Sequence, residues 1–352
     1  MSRPQDKNFR AAPQSGSSRN SNFGRDQNRM ATDRPTPTET IACSNPFFII
    51  GSGRAGSTLL RLILNRHPNL CIPPETWFLL PLAERFVFDA QLNQSEVEEA
   101  CDLITGHRRW PDFQIDAAEF LNRVYDNGVN TIQGLTDVFF GIHCVRENKP
   151  RWGDKTPPYI HITPQLLRLY PEARFIYLVR DGRDVANSFI DTRWHGPGAY
   201  ANSQEWIEAV RCFAALVKEP EVNSRMLRVI YEDIVENTER VTREICQFLG
   251  EKYFPSMVIW PEQENAVVPQ RESHAHTKLR RKPQASDLYR WKTSQSKMRV
   301  FLLEAYMRNE LQTEGYTLRY KSRYWAPIRT VIRLIAPIGA RIYRSIIWRV
   351  RN

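Results

Sequence analysis

Pro46-Phe47-Phe48-Ile49-Ile50-Gly51-Ser52-Gly53-Arg54-Ala55-Gly56-Ser57-Thr58-Leu59-Leu60 is the stretch on which the fold turns. Pro46 to Ile50 reads as a short apolar strand ended by Gly51-Ser52-Gly53. A helix is predicted from about Gly56 to Arg66, with Leu59, Leu60, Ile63 and Leu64 as its apolar face. Strand, glycine loop and helix in this order form a phosphate cradle. Glycines let backbone N–H groups approach an anion, and the new helix turns its positive end toward it. Ser57 and Thr58 add hydroxyl donors. A Walker A loop carries lysine where this chain has Ser57; here the cation is Arg54, three residues earlier. With no clear second-strand aspartate for magnesium either, the loop suits a transferring group less charged than a nucleotide γ-phosphate. Taken alone it is equally an ordinary strand–turn–helix corner.

Working outward, His67-Pro68-Asn69 stops the helix and Leu70 to Ile72 is a second strand. Residues 77–147 read as several helices, an inserted lobe rather than sheet. Arg151 to Lys155 is a short extended segment, Pro157 to Tyr170 is helical, and Arg174 to Val179 is a buried strand. A helix starts after Asp181-Gly182, another runs from about Ser203 to Lys218, Met226 to Tyr231 is a strand, and a helix spans Glu239 to Leu249. This alternation predicts an α/β fold: a P-loop three-layer sandwich with a central parallel sheet, helices on both faces and a helical insert. Ligands bind such sheets outside the carboxyl ends of the strands.

Val179-Arg180-Asp181-Gly182-Arg183-Asp184 supplies a second strand end, opening a helix that includes Ser188. An arginine fork with a serine about two helical turns on suits a phosphate monoester, while the plainer alternative is an exposed Arg–Asp pair capping a helix. Two anion sites on one sheet imply a ligand with two separated anionic groups, and nucleoside bisphosphates are the common case.

At this point the residues resemble the nucleotide-dependent sulfotransferases, in particular the tyrosylprotein sulfotransferases and their bacterial relatives. The resemblance runs from about Pro46 to Tyr316. It rests on Arg54-Ala55-Gly56-Ser57-Thr58-Leu59-Leu60, His67-Pro68, Pro74-Glu75-Thr76, Lys155-Thr156-Pro157, Val179-Arg180-Asp181-Gly182-Arg183 and Tyr231-Glu232, in matching order and rough spacing. It implies 3′-phosphoadenosine-5′-phosphosulfate as co-substrate and no metal. Arg54, Ala55, Gly56, Ser57 and Thr58 would hold the 5′-phosphosulfate, Arg180 and Ser188 the 3′-phosphate, and Tyr231 would contact the nucleotide. Glu75 matches the family's catalytic base and Lys155 the lysine at the reacting sulfate. The chain departs from the pattern where a further arginine is usual, having Thr192 and then Arg193. It departs again in Ser286-Asp287-Leu288-Tyr289-Arg290-Trp291, where the family has serine close before tryptophan.

Glu75 has a competing reading as a cap, with Thr76, of a helix starting at Trp77. His143 and His67 are rival bases, and Lys155 has the alternative of a surface lysine at a strand end. A kinase, or a non-catalytic nucleotide- or glycan-binding module on the same fold, are the alternatives to the transferase. The acceptor is a glycan, a peptide tyrosine or a small molecule, shaped by the insert and by a loop near 260–290. That loop is basic through His274, His276, Lys278, Arg280, Arg281 and Lys282.

The ends carry the charge. Of a formal net charge of +10, the segment from Lys321 onward contributes eight Lys/Arg and no acidic residue, and residues 1–40 hold a further basic excess. The body between is close to neutral, which speaks against a nucleic-acid binder. Residues 1–44, rich in Ser, Asn, Gln, Arg and Pro, are expected to be a disordered tail; 45–320 form the domain, and 321–352 a basic amphipathic tail. Ile328, Ile332 and Ile335 share a helical face in 325–351, a pattern that fits peripheral membrane contact or docking on the domain or a partner. Six cysteines without metal-site spacing read as free thiols. With no apolar leader or spanning segment in sight, the expectation is a cytoplasmic protein, with a homodimer left open.

Overall fold

The computed structural model describes residues 45–192, 198–260 and 282–321, with 327, 328, 330 and 331. The expected N-terminal tail, the basic loop residues up to Arg281, Arg193, and nearly all of the amphipathic tail lie outside them.

One sheet organises the chain. Strands β1 (Phe47–Gly51), β2 (Leu70–Cys71), β3 (Arg151–Lys155), β4 (Arg174–Val179) and β5 (Met226–Ile230) are all parallel, in the order β2-β3-β1-β4-β5. β1 is central, with Phe48 opposite Asp154 of β3 on one side and Phe175 of β4 on the other. From β1 the chain leaves through α1 (Ser57–Asn65) toward the β2 edge. From β4 it leaves through α7 (Gly182–Thr192) and α8 (Ala199–Leu216) toward the β5 edge. The carboxyl ends of these two neighbours therefore diverge, which opens the crevice where such folds take ligands.

Strand alternation feeds two cores. Phe48 and Ile50, with Trp152, Phe175, Tyr177 and Val179, belong to a cluster with the insert and with α7 and α8. Phe47 and Ile49, with Ile176, Leu178 and Val229, join the apolar face of α1 and helices α10 (Tyr231–Glu236) and α11 (Thr238–Leu249). Both faces of the sheet are thus covered, as an all-parallel sheet requires. Four insert helices lie between β2 and β3: α2 (Leu79–Arg85), α3 (Gln94–Thr105), α4 (Ala117–Asp126) and α5 (Ile132–Glu147). Phe140 of α5 stacks on Trp152 of β3 at 4.0 Å, seating the insert on the sheet.

The stretch predicted as one helix from Pro157 is a 3-10 turn over Pro157–Ile162 followed by α6 (Thr163–Leu169). Pro164 lacks an amide hydrogen, so the helix restarts there with proline in its first turn. Tyr231 leaves the predicted strand and opens α10, with Glu232 and Asp233 favourably placed in the first turn. After β5 come α11, then α12 (Trp291–Ser294) and α13 (Lys297–Thr313); α9 (Pro220–Ser224) precedes the strand. Among the described residues no helix is long and apolar enough to cross a membrane.

A buried charge cluster ties this last part to the sheet. Arg183, 2% exposed, donates Nε and Nη2 to Asp181 at 2.9 and 2.7 Å and Nη1 to Glu304 of α13 at 2.6 Å. Its guanidinium also lies 3.7 Å from the centre of the Trp291 ring. Glu304 accepts from the amides of Arg319 and Tyr320 as well. Removing the cation leaves two buried carboxylates facing each other. Arg183→Ala is expected to lower unfolding free energy by about 3–5 kcal/mol, read by urea denaturation.

Candidate active site

The loop between β1 and α1 adopts its shape through three residues with positive φ: Gly51 at 146°, Arg54 at 63° and Gly56 at 97°. Gly56 is the residue before α1, and no side chain caps that helix. Its first turn holds no acidic residue, so its N–H groups are left for an anion. Gly56 has no room for more than hydrogen: a β-carbon would stand 2.2 Å from the Tyr231 ring.

Tyr231, first residue of α10, links the loop to the second predicted cation. The Arg180 guanidinium lies 4.5 Å from the centre of its ring, within cation–π range. Arg180 also stands 3.6 Å from Asp184 and donates weakly to the Asp287 carbonyl at 3.5 Å. Its Nε is buried without a hydrogen-bond partner, the kind of orphaned donor that a ligand oxygen satisfies. Burial, ahead of other causes, pushes the Tyr231 phenol up, so the ring stays neutral. Ser188 of α7, read with Arg180 from the sequence, accepts at its Oγ from Arg54 Nε at 2.9 Å. The structure thus brings together Arg54 with Ser188 and Arg180 with Tyr231, and Gly56 lies against that same ring.

The remaining acidic and basic members of the Arg180–Asp184 segment have other duties. Besides the Arg183 pairing, Asp181 accepts from Trp291 Nε1 at 2.9 Å, and Asp184 accepts from the Trp291 amide at 2.8 Å. The late segment that departs from the family pattern is therefore fastened to this strand end by Trp291.

Glu75 and Lys155 meet directly. Lys155, last residue of β3 and 3% exposed in its side chain, reaches Glu75 Oε1 at 2.5 Å and Thr58 of the loop at 3.4 Å. The ammonium group thus stands between the carboxylate and the phosphate cradle. The other carboxylate oxygen accepts from Trp77 Nε1 at 2.8 Å and lies 3.3 Å from Arg109, whose side chain is 9% exposed. Trp77 itself sits at φ 63°, an uncommon conformation for a bulky residue, held by that bond and by Arg109 over its ring at 5.4 Å. Helix α2 starts at Leu79, and no side chain caps it. Glu75 is therefore not a helix cap but a carboxylate aimed at two cations.

A buried network beneath fixes this arrangement. Thr76 Oγ donates to Asp154 at 2.5 Å and lies 2.6 Å from the Tyr159 hydroxyl, and the Thr76 amide donates to Thr156 at 3.0 Å. Asp154 and Thr156 bracket Lys155 on β3, so the residues flanking Glu75 and Lys155 are bonded to each other.

The two histidines stand elsewhere. His67, fully buried, lies 2.8 Å from the Lys252 carbonyl and accepts the Asn69 amide at 3.0 Å, which makes it a turn residue. His143 is enclosed by Phe113 and Phe139, and burial lowers it to about 4. Neither bonds to the loop or to Lys155. Sequence reasoning did not single out Arg109, Trp77 or Asp154 as part of the site. Asp154 had a signal in its place beside Lys155, but Arg109 lies in a helical insert with no motif around it.

Fold and sequence together define a P-loop α/β protein whose β1–α1 loop carries Arg54 and has Ser57 at the position of the Walker lysine. The sequence model of the sulfotransferase family matches residues 46–255, and the chain belongs to that family. It is similar to nodulation protein NoeE of Sinorhizobium fredii, 32% identical over 170 residues that cover 48% of this chain and 36% of that protein. It is also similar to protein-tyrosine sulfotransferase A of Caenorhabditis elegans, 26% identical over 212 residues, 58% of this chain and 50% of that one. The chain thus spans half or less of these two relatives. Among solved structures, the sulfotransferase domain of the Synechococcus PCC 7002 olefin synthase superposes with a TM-score of 0.57 at 25% identity, covering 78% of this chain and 96% of the domain. The sulfotransferase domain of the curacin biosynthetic pathway, at 24% identity and TM-score 0.55 over 78% and 98% of the two chains, shares the fold.

Burial raises the Asp154 carboxyl to about 7, against hydrogen bonds from Thr76 and Thr156 that lower it. A folded value above the unfolded one means that the native protein holds the extra proton between roughly pH 4 and 7. That stability is present at low pH and lost as pH rises through the window. Asp154→Asn, neutral throughout, is therefore expected to gain on the wild type from about pH 5 to 8 in urea unfolding. A pH-independent difference would contradict the assignment.

Proposed function

We propose that the protein transfers a sulfuryl group from 3′-phosphoadenosine-5′-phosphosulfate to a hydroxyl or amine of a glycan, a peptide tyrosine or a small molecule. The observation that carries this reading is Lys155, bonded to Glu75 on one side and to Thr58 of the cradle on the other. In this scheme the loop from Arg54 to Thr58 and the N-terminus of α1 hold the 5′-phosphosulfate. Arg180, with its orphaned Nε, takes the 3′-phosphate together with Ser188, and Tyr231 sets the spacing between the two.

Glu75 accepts the proton of the acceptor hydroxyl as its oxygen attacks sulfur. The bond between sulfur and the bridging phosphate oxygen breaks, and that oxygen keeps the electron pair. Lys155 and Arg54 neutralise the charge that gathers there. Arg109 and Trp77 hold the carboxylate in line. The products are the sulfated acceptor and adenosine 3′,5′-bisphosphate. The names of the tyrosine sulfotransferase relatives support a hydroxyl acceptor, and the residues of the insert that meet Glu75 support an acceptor pocket on that side.

Labelled sulfate donor, with an extract of the source cells as acceptor pool, gives the assay. Glu75→Gln is expected to lower turnover by about 10²–10⁴-fold while calorimetric affinity for adenosine 3′,5′-bisphosphate stays within about threefold. Arg180→Ala is expected to weaken that affinity by about 10–100-fold, the worth of a charge-assisted hydrogen bond. Near wild-type turnover in Glu75→Gln would remove the base from the scheme.

A further inference from the structure

The cradle contains an acidic side chain that no step above uses. Gly53 donates its amide to Glu205 Oε1 at 2.6 Å, across 152 residues of chain. The carboxylate lies so close that a β-carbon on Gly53 would stand 2.6 Å from the same oxygen. Its position is set by packing. The next residue on α8, Trp206, is 1% exposed and donates Nε1 to the Arg180 carbonyl at 2.9 Å, at the end of β4. The helix that presents Glu205 is therefore docked on the same strand end that presents Arg180. Backbone amides of a glycine loop are the groups that an anionic ligand uses, and here one of them already serves an anion belonging to the protein.

We propose that Glu205 is a resident counter-anion of the loop, competing with the nucleotide for the Gly53 amide and weakening the spent nucleotide more than the donor. The inference rests on the donor reading above. In a phosphosulfate the 5′-phosphate and the sulfate each carry one negative charge. Once the sulfuryl group has left, the 5′-phosphate alone carries close to two near neutral pH. A fixed carboxylate beside the cradle opposes the second state more strongly, because like-charge repulsion grows with the charge facing it. Glu205 therefore takes back the Gly53 amide as adenosine 3′,5′-bisphosphate departs. The ordinary alternative, a carboxylate that braces the loop in its binding shape, predicts the opposite effect of its removal.

The test is calorimetric titration of the full-length chain with adenosine 3′,5′-bisphosphate, comparing wild type with Glu205→Gln and Glu205→Ala. Thermal melts of each variant confirm folding. Tighter binding by about tenfold in both variants is expected, since both remove the charge that competes at short range. Unchanged or weaker binding in folded variants overturns the proposal. If the wild type itself shows no binding, the donor reading falls first and this inference with it, so the two failures are told apart by the wild-type trace alone.

Discussion

Tyr231 lies across Gly56 on one side and under the Arg180 guanidinium on the other, 4.5 Å from it. One aromatic ring therefore sets the separation between the β1–α1 loop and Arg180, the two groups proposed above to hold the nucleotide's anions. The ring's position follows from the sheet. Ile230, just before it, pairs with Val179, just before Arg180, as the last step of the β4–β5 ladder. A one-residue slip of β5 in that ladder would turn Tyr231 to the opposite face and away from Arg180. The apolar alternation that fills the cores on either side of the sheet is what forbids the slip. The spacing of the loop, Tyr231 and Arg180 is thus a property of strand register.

The Arg180–Asp184 segment shows how densely function and stability share one strand end. Arg180 is the member left facing Tyr231. Asp181, Arg183 and Asp184 bind Trp291, Glu304 and one another. Through them the helix α13 is locked to the same corner that carries Arg180, and the Tyr320 amide also ends on Glu304.

The parallel sheet, its two helical faces and the loop were legible because apolar periodicity and glycine placement are local properties. The reacting pair was legible only through resemblance: nothing in the spacing of Glu75 and Lys155, 80 residues apart, says that they touch. Arg109 and Glu205 were illegible for one reason. A charged residue in a turn or helix looks solvated until tertiary packing sets it against a partner distant in sequence. Ser188 was read from its helical spacing to Arg180; the bond that its hydroxyl accepts from Arg54 of the β1–α1 loop was not legible in that spacing.

The insert reaches into the Glu75–Lys155 contact. Its residue Arg109 reaches Glu75, and the indole of Trp77, at the foot of the same lobe, donates to the same carboxylate. Lys155, on the sheet, holds the other oxygen. One carboxylate is thus pinned between the insert and the central sheet. In the transfer proposed above, Lys155 would not lie fully on Glu75 and also meet the charge growing on a departing phosphate oxygen. The ammonium would be drawn toward that charge, and the carboxylate, still aligned by Arg109 and Trp77, would be freed to take the acceptor's proton. Proton removal and leaving-group stabilisation would then be coupled by the movement of a single charge. That coupling requires the orienting contacts on Glu75 to come from the insert side, where the structure has them.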